Sequence, residues 1–367
     1  MARWLDGKRW MAAGLGFAGT IALLVLWNFY LEVRYPSPFS AYVRDNELEY
    51  RIRWLDPVRP ETIELRGRLH PVRGLPGGFR ILMLGGSTTN GHQITGWENV
   101  WPARMEHQFR SMGLDAEVMN AADLGYSCEH ILIVAKRLIP LLRPDLVIFM
   151  EGWNWPGIAE PLNWSPFPRL PKGLRWLNPA VDSRLFVDFR NRTVRFMGEW
   201  GAWHGMISPG EFHRIKREHR YRLARCVREL DDELSALNAT HVIVIPPSFL
   251  TAEKAAADDL AAYEPMLWIF NYCRTKSLEE TVACHLAERQ AMRGGLEDAL
   301  AGTHQWKAVI DGESFAPPEW STRVRYFMDH MHMTIEGNEQ FGRHVAGELM
   351  GRGLLPLPSG KDASGGR

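Results

Sequence analysis

Five short apolar runs that alternate with helical segments constrain the fold of this chain most. The runs are RILMLG (80–85), AEVMN (116–120), DLVIFME (145–151), HVIVIP (241–246) and KAVID (307–311). Apolar residues recur at helical spacing between these runs and after the last of them. Strands without polar alternation are typical of parallel sheets that helices cover on both faces. We therefore predict an α/β fold built on a parallel five-stranded sheet.

One segment near the N-terminus is too apolar for an ordinary surface helix. Residues 11–31, MAAGLGFAGTIALLVLWNFYL, contain no charged side chain and end in aromatic residues. A helix of that length spans a hydrocarbon core of roughly 30 Å. Basic residues precede it, which favours a cytoplasmic N-terminus at 1–10 and an exported body. A cleaved signal peptide and a buried core helix are the alternatives to the transmembrane anchor that we predict at 11–33.

The chain as a whole has ordinary globular composition. Lys and Arg together number 43, as do Asp and Glu. The chain therefore has no excess of positive charge, and nothing in its overall charge points to a nucleic-acid partner. We predict a lead-in at 34–79, a body at 80–355 with insertions at 153–205 and 252–304, and a disordered tail at 356–367. The first insertion is rich in tryptophan, which suits a small core of its own, sugar stacking or contact with a membrane.

The cysteines carry little information. Cys128, Cys226, Cys273 and Cys284 form no C-x-x-C pair and have no metal-ligand spacing. By default they are small buried hydrophobic residues, and Cys128 is interpreted as packing. One or two disulfides are compatible with an exported body, and the sequence does not choose among the pairings.

The first apolar run breaks into LGGSTTNGHQ, which offers two chemical interpretations. A phosphate-binding P-loop needs lysine and a hydroxyl after its last glycine, but His92 and Gln93 follow Gly91 here. A nucleophile elbow of the α/β-hydrolase type needs G-x-S-x-G, which this stretch also lacks. What remains is Ser87 at the carboxyl end of a first strand, where it needs a base and oxyanion donors from elsewhere in the chain.

Four short blocks supply those partners in order. Ser87 lies in LGGSTTNG, Gly125 in MNAADLGYS, Asn154 in EGWNW, and Asp329 and His332 in FMDHMHMT. In this order the blocks resemble those of the SGNH hydrolases, also called GDSL-type hydrolases, over about residues 80–349. The resemblance implies a three-layer, flavodoxin-like fold with a parallel five-stranded sheet.

The resemblance also implies a role for each matched residue. Ser87 would be the nucleophile, with His332 as its base and Asp329 orienting that base. The backbone N–H groups of Ser87 and Gly125 and the side-chain amide of Asn154 would form the oxyanion hole. This chemistry needs no cofactor and no metal, and we predict neither.

Two departures from the family pattern border the expected pocket. The family's G-D-S-L reads Gly85-Gly86-Ser87-Thr88 here, and Trp155 stands where the asparagine block usually has aspartate. Neither change removes a catalytic atom, so the departures bear on the substrate instead. Thr88, Trp153 and Trp155 are the candidate substrate-pocket residues.

Other interpretations of the same residues remain open at the level of sequence. Taken singly, Ser87 could cap a helix, Gly125 could serve a turn and Asn154 could bond its own loop. Asp329, His330 and His332 place three potential metal ligands within four residues. Typical zinc spacings are absent, which favours the triad over a metal.

The predicted function is a membrane-anchored, exported serine esterase. Its expected substrate is an O-acyl ester, with acetyl favoured, on an envelope or extracellular carbohydrate. The alternatives are a lipid or thioester acylhydrolase, an O-acyltransferase on the same fold, and a non-catalytic glycan-binding or assembly protein.

Overall fold

The computed structural model describes residues 23, 42–45, 49–52, 61–73, 78–91, 93–154, 209–250, 277–302 and 304–356. Apart from residue 23, the predicted anchor at 11–33 lies outside these ranges, as do most of the insertion at 153–205 and nearly all of the tail. Within the described ranges, no helix has the length and apolar character needed to cross a membrane. The anchor therefore stays a prediction.

The chain divides into two compact units. In the smaller one, the described strands are β1 (Tyr42–Asp45) and most of β2 (Glu49–Ile52), which pair with each other. The larger unit holds the rest of the described chain, including all the residues matched to the four sequence blocks.

A short hairpin opens the larger unit. Strands β3 (Thr62–Leu65) and β4 (Arg68–Pro71) pair antiparallel. The two residues between them, Arg66 and Gly67, both have positive φ, 50° and 74°. Two such residues in a two-residue loop match the twist of the flanking strands. These two strands lie in the lead-in at 34–79, for which no strand is predicted from the sequence.

The main sheet has five parallel strands. They are β5 (Phe79–Gly85), β6 (Ala116–Asn120), β7 (Leu146–Met150), β8 (His241–Ile245) and β9 (Val309–Asp311). Their order is β6-β5-β7-β8-β9, and every neighbouring pair runs parallel. This is the flavodoxin-like order, so the predicted α/β class and parallel five-stranded sheet are confirmed.

Helices account for most of the remaining described residues. They are α1 (Ser87–Asn90), α2 (Trp101–Ser111), α3 (Cys128–Leu142), α4 (Pro209–Ala236), α5 (Leu278–Leu300), α6 (Trp320–Arg323) and α7 (Ile335–Gly351). Side-chain caps fix where two of them begin. Ser277 accepts a hydrogen bond from the Glu280 N–H before α5, and Thr334 accepts one from the Gly337 N–H before α7.

The core lies on both faces of the sheet. On one face Ile81 and Met83 of β5 pack in a cluster with residues of α2 and α7, where the Trp101 and Phe341 rings meet edge to face at 5.0 Å. The alternate β5 residue Leu82 points to the other face and is also fully buried. Helix α3 contacts β5 and α4. The sheet thus lies between two helical layers, as predicted.

A disulfide joins two of these helices. Cys128, the first residue of α3, is bonded to Cys226 in α4, 98 residues later. The interpretation of Cys128 as simple packing is therefore wrong, because no spacing signal links two cysteines so far apart in sequence. Cys284 is buried, and Cys273 lies outside the described residues.

Candidate active site

Ser87 stands where the central strand β5 meets a short helix. It is the first residue of α1, and only Gly86 separates it from the strand's carboxyl end at Gly85. Two side-chain hydrogen bonds fix this turn: Thr89 Oγ1 donates to the Met150 carbonyl at 3.1 Å, and Asn90 Nδ2 donates to the Ala122 carbonyl at 2.9 Å. Both acceptors lie at or just beyond the ends of neighbouring strands. The serine is therefore held at the edge of the sheet where ligands bind in such folds.

His332 and Asp329 reach Ser87 from the loop before α7. Ser87 Oγ lies 2.8 Å from His332 Nε2, and His332 Nδ1 lies 2.7 Å from Asp329 Oδ2. With the imidazole proton on Nδ1, His332 donates to Asp329 and accepts from the serine hydroxyl. The structure thus brings together, in one hydrogen-bonded line, three residues whose ends are 245 positions apart in sequence.

The remaining oxygen of Asp329 is also engaged. Its Oδ1 accepts the backbone N–H groups of Met331 at 2.9 Å and His332 at 2.8 Å. Burial alone would raise the pKa of this carboxyl, but the hydrogen bond and charge of His332 and the two N–H donors hold the pKa below its ordinary value. Asp329 is therefore an ionised partner for an imidazole near neutral pH.

Gly125 and Asn154 come from the ends of the two strands that flank β5. Gly125 follows β6 and has a φ of 70°, in the region that favours glycine. The Asp123 N–H donates to the Gly85 carbonyl at 3.2 Å, which ties this loop to the turn before Ser87. Asn154 follows β7, and its Nδ2 donates to the Tyr126 carbonyl at 3.0 Å. The structure thus places the Asn154 amide against the residue after Gly125.

Glu151, which sequence analysis did not single out, organises the Asn154 loop. Its Oε1 accepts the backbone N–H groups of Gly152, Trp153 and Asn154 at 2.7–2.8 Å. Its Oε2 lies 3.3 Å from Asn154 Nδ2. Burial raises the pKa of this carboxyl, and these N–H donors oppose the shift. A single buried side chain therefore sets both the backbone and the amide of Asn154.

The Glu151 carboxylate also explains the glycine before the nucleophile. A Cβ placed on Gly86 would overlap Glu151 Oε2 and lie 2.5 Å from Asn154 Nδ2. An aspartate at position 86, as in G-D-S-L, has no room beside Glu151. Two features of the sequence could have indicated Glu151. It is a carboxylate directly after an entirely apolar strand, and position 86 lacks the aspartate of the G-D-S-L pattern.

A buried histidine supports the same loop from α4. His219 Nε2 lies 2.8 Å from the Gly152 carbonyl. Burial and the charge of Lys216 lower the pKa of His219 to about 3, although the bond to Gly152 opposes that shift. The ring is therefore neutral, and Nε2–H donates to the carbonyl.

The substrate-pocket candidates have different positions. Thr88 is buried in α1, and Trp153 is only 4% exposed, with its ring edge-on to His330 at 5.5 Å. Both placements are typical of packing rather than of an open pocket wall. Trp155 lies outside the described residues.

His330 is not a member of the hydrogen-bonded line that joins Ser87 Oγ, His332 and Asp329 Oδ2. Its ring packs against His285 at 4.7 Å between centroids, and its Nδ1 lies 3.4 Å from Asp329 Oδ1. Burial is the main reason that the pKa of His330 lies well below the ordinary value, and the charges of His285, His332 and Lys216 lower it further. Asp329 and His332 therefore bond each other, while the neutral His330 belongs to a different group of side chains.

Comparisons with known proteins give similarity in structure at very low identity. No family model matches the sequence, and no curated protein does. A putative lipolytic protein of the G-D-S-L family from Desulfitobacterium hafniense DCB-2 is 10% identical, with a TM-score of 0.37 over 73% of this chain and 98% of its own.

Two esterase structures are similar to the same degree. A variant of the acetyl xylan esterase Axe2 from Geobacillus stearothermophilus is 12% identical, with a TM-score of 0.40 over 76% of this chain and 96% of its own. The psychrotrophic esterase EstA from Pseudoalteromonas sp. is 13% identical, with a TM-score of 0.37 over 75% of this chain and 98% of its own. At these values the function has to be argued from the geometry of the site.

Proposed function

We propose that this protein is a serine esterase with Ser87 as nucleophile, His332 as general base and Asp329 as the group that orients it. The observation that carries the proposal is the unbroken hydrogen-bonded line from Ser87 Oγ through His332 to Asp329 Oδ2. A serine hydroxyl is a poor nucleophile until an imidazole accepts its proton, and that imidazole needs a fixed tautomer. Both needs are met within hydrogen-bond distance.

The reaction follows from these positions. Ser87 Oγ forms a bond to the ester carbonyl carbon while its proton passes to His332 Nε2. His332 then returns that proton to the departing alkoxide as the ester C–O bond breaks, which leaves an acyl-enzyme. A water molecule, deprotonated by the same nitrogen, attacks the acyl carbon and releases the acid and the free serine. Asp329 stabilises the imidazolium formed in each half.

The negative charge on the carbonyl oxygen would be stabilised by the N–H groups of Ser87 and Gly125 and the Asn154 amide. Asn154 Nδ2 donates to Tyr126 at 3.0 Å and faces Glu151 Oε2 at the longer distance of 3.3 Å. Nδ2 thus donates to both acceptors, and a substrate oxygen would take the place of Glu151 Oε2, the acceptor at the longer distance. Each such donor contributes about 100- to 1,000-fold in rate.

The proposed substrate is an O-acyl ester, with acetyl favoured, on an envelope or extracellular carbohydrate. The proposal includes a membrane anchor at 11–33 with the body outside the cytoplasm. The charge-free run at 11–31 and the bond between Cys128 and Cys226 support it, because disulfides persist in oxidising compartments.

A serine-directed alkyl phosphonate tests the chemistry. We expect stoichiometric modification of the purified protein at Ser87, none in Ser87→Ala, and turnover of 4-nitrophenyl acetate that the reagent abolishes. A panel of acetylated sugars, long-chain lipids and thioesters, each with and without a sugar acceptor, then separates an esterase from a lipase or an acyltransferase. A protein that stays unlabelled and hydrolyses no ester would contradict the proposal.

The redox state of the disulfide tests the location. In cells, Cys128 and Cys226 should resist alkylation by a maleimide under denaturing, non-reducing conditions and react after reduction. The matched control is the chain without residues 1–33, retained in the cytoplasm, in which both thiols should react directly. Free thiols at both positions in the full-length chain would exclude an exported body.

A further inference from the structure

A second group of chemically reactive side chains lies behind the candidate active site. His285 and Glu288 are three residues apart on α5, and such a pair shares one face of a helix. His330 comes from the loop before α7, next to Asp329. All three are at least 96% buried, and one nitrogen or oxygen from each lies within 4.8 Å of the others.

The donors and their surroundings have the chemistry of a metal site. Two imidazoles and one carboxylate form the three-ligand set of several zinc proteins. Lys216 binds Glu288 Oε1, while Glu288 Oε2 is buried and has no hydrogen-bond partner among the described residues. On the other side, His330 Nδ1 faces Asp329 Oδ1 at 3.4 Å. Ligating carboxylates and histidines commonly have such outer partners.

We propose that His285, Glu288 and His330 bind one divalent transition-metal ion of the Zn²⁺ class. Ligands of a tetrahedral zinc lie roughly 3.3–3.5 Å apart. The three atoms lie within 4.8 Å of one another, so they must approach by up to about 1.4 Å on binding. The site does not depend on the proposed esterase activity. Its position gives it a structural role, because the ion would tie α5 to the loop that carries Asp329 and His332.

The competing explanation is a buried ion pair, with Lys216 neutralising Glu288 and the two imidazoles only packed beside it. That explanation accounts for Glu288 Oε1. It leaves Glu288 Oε2 buried and without a hydrogen-bond partner among the described residues, and a buried polar atom without a partner is costly. A cation at Oε2 removes that cost.

Zinc binding by the full chain, stripped with chelator, tests the proposal. We expect one Zn²⁺ per chain by calorimetry and elemental analysis, and visible Co²⁺ absorption of the intensity typical of tetrahedral sites. His285→Gln and Glu288→Gln should each weaken binding by more than about 100-fold. His241→Gln is the matched control, since His241 is buried and paired with Asp231 outside the cluster. Near-UV circular dichroism verifies that each variant is folded.

Lys216→Met separates the two explanations. Removing the cation leaves the Glu288 carboxylate buried and should lower Tm. If the metal site exists, Zn²⁺ restores the lost Tm, because it binds only the folded chain and no longer competes with the lysine. The proposal is overturned if zinc leaves the Tm of Lys216→Met unchanged, if the wild type binds no zinc, or if both glutamine variants bind it as the wild type does. Zinc binding should be normal in Ser87→Ala. A failure of the metal-site proposal can therefore be told apart from a failure of the esterase proposal.

Discussion

Ser87→Ala and His332→Ala should each lower kcat for 4-nitrophenyl acetate by about 10⁴- to 10⁶-fold, and the double variant should lose little more. The reason is that the hydroxyl and the imidazole act as one unit across their 2.8 Å hydrogen bond. Without the hydroxyl the imidazole has no proton to accept, and without the imidazole the hydroxyl has no base to take its proton. Asp329→Asn should cost about 10⁴-fold, because the amide would favour the wrong tautomer of His332. Stopped-flow and steady-state assays of folded protein measure all four variants.

A second histidine–aspartate pair in the same chain provides the control. His241 Nε2 lies 2.7 Å from Asp231 Oδ1, and both side chains are buried, as are Asp329 and His332. The other ring nitrogen, His241 Nδ1, lies 2.6 Å from the Ala239 carbonyl and not from a serine hydroxyl. His241→Gln should lower Tm and leave kcat of the folded enzyme near that of the wild type. Multiplicative losses in the double variant, or activity that survives loss of Ser87 and disappears with chelator, would contradict the triad.

The sheet could be predicted because its strands carry their own signal. Each of the five runs is apolar along most of its length, since both faces are covered, and each run falls within one residue or two of the observed strand. The β3–β4 hairpin was missed although a signal existed. Arg66-Gly67 between two four-residue strands is a two-residue turn, but each flanking strand is too short to show a clear alternation of apolar and polar residues.

The residues of the candidate site could be predicted because each follows a strand end or precedes the last helix. In a parallel sheet those positions converge at one edge, whatever their separation in sequence. The disulfide and the buried cluster of His285, Glu288 and His330 have no such rule. Their partners lie on helices and loops whose relative positions depend on how α4, α5 and the segment before α7 pack.

Glu151 is an intermediate case, and its loss should have the largest effect on rate after the loss of a triad residue. Glu151→Ala should lower kcat by about 100- to 1,000-fold with a smaller change in KM, as should Asn154→Ala. Glu151 touches no reacting atom and acts through Asn154. Its carboxylate fixes three consecutive N–H groups and lies 3.3 Å from the Asn154 amide nitrogen, so its loss frees the loop that carries the donor.

Non-additivity distinguishes this positioning role from a loss of stability. Because Glu151 acts through Asn154, the two losses should not multiply. The variant with both alanines should have the kcat of the slower single variant. Glu106 is the matched control: it is equally buried and accepts the Val118 N–H at 2.8 Å, and Val118 pairs with Ile81, six residues before Ser87. Glu106→Ala should lower Tm with kcat of the folded fraction unchanged. If Glu151→Ala behaves like Glu106→Ala, or if its effect multiplies with that of Asn154→Ala, the carboxylate does not position the oxyanion donor.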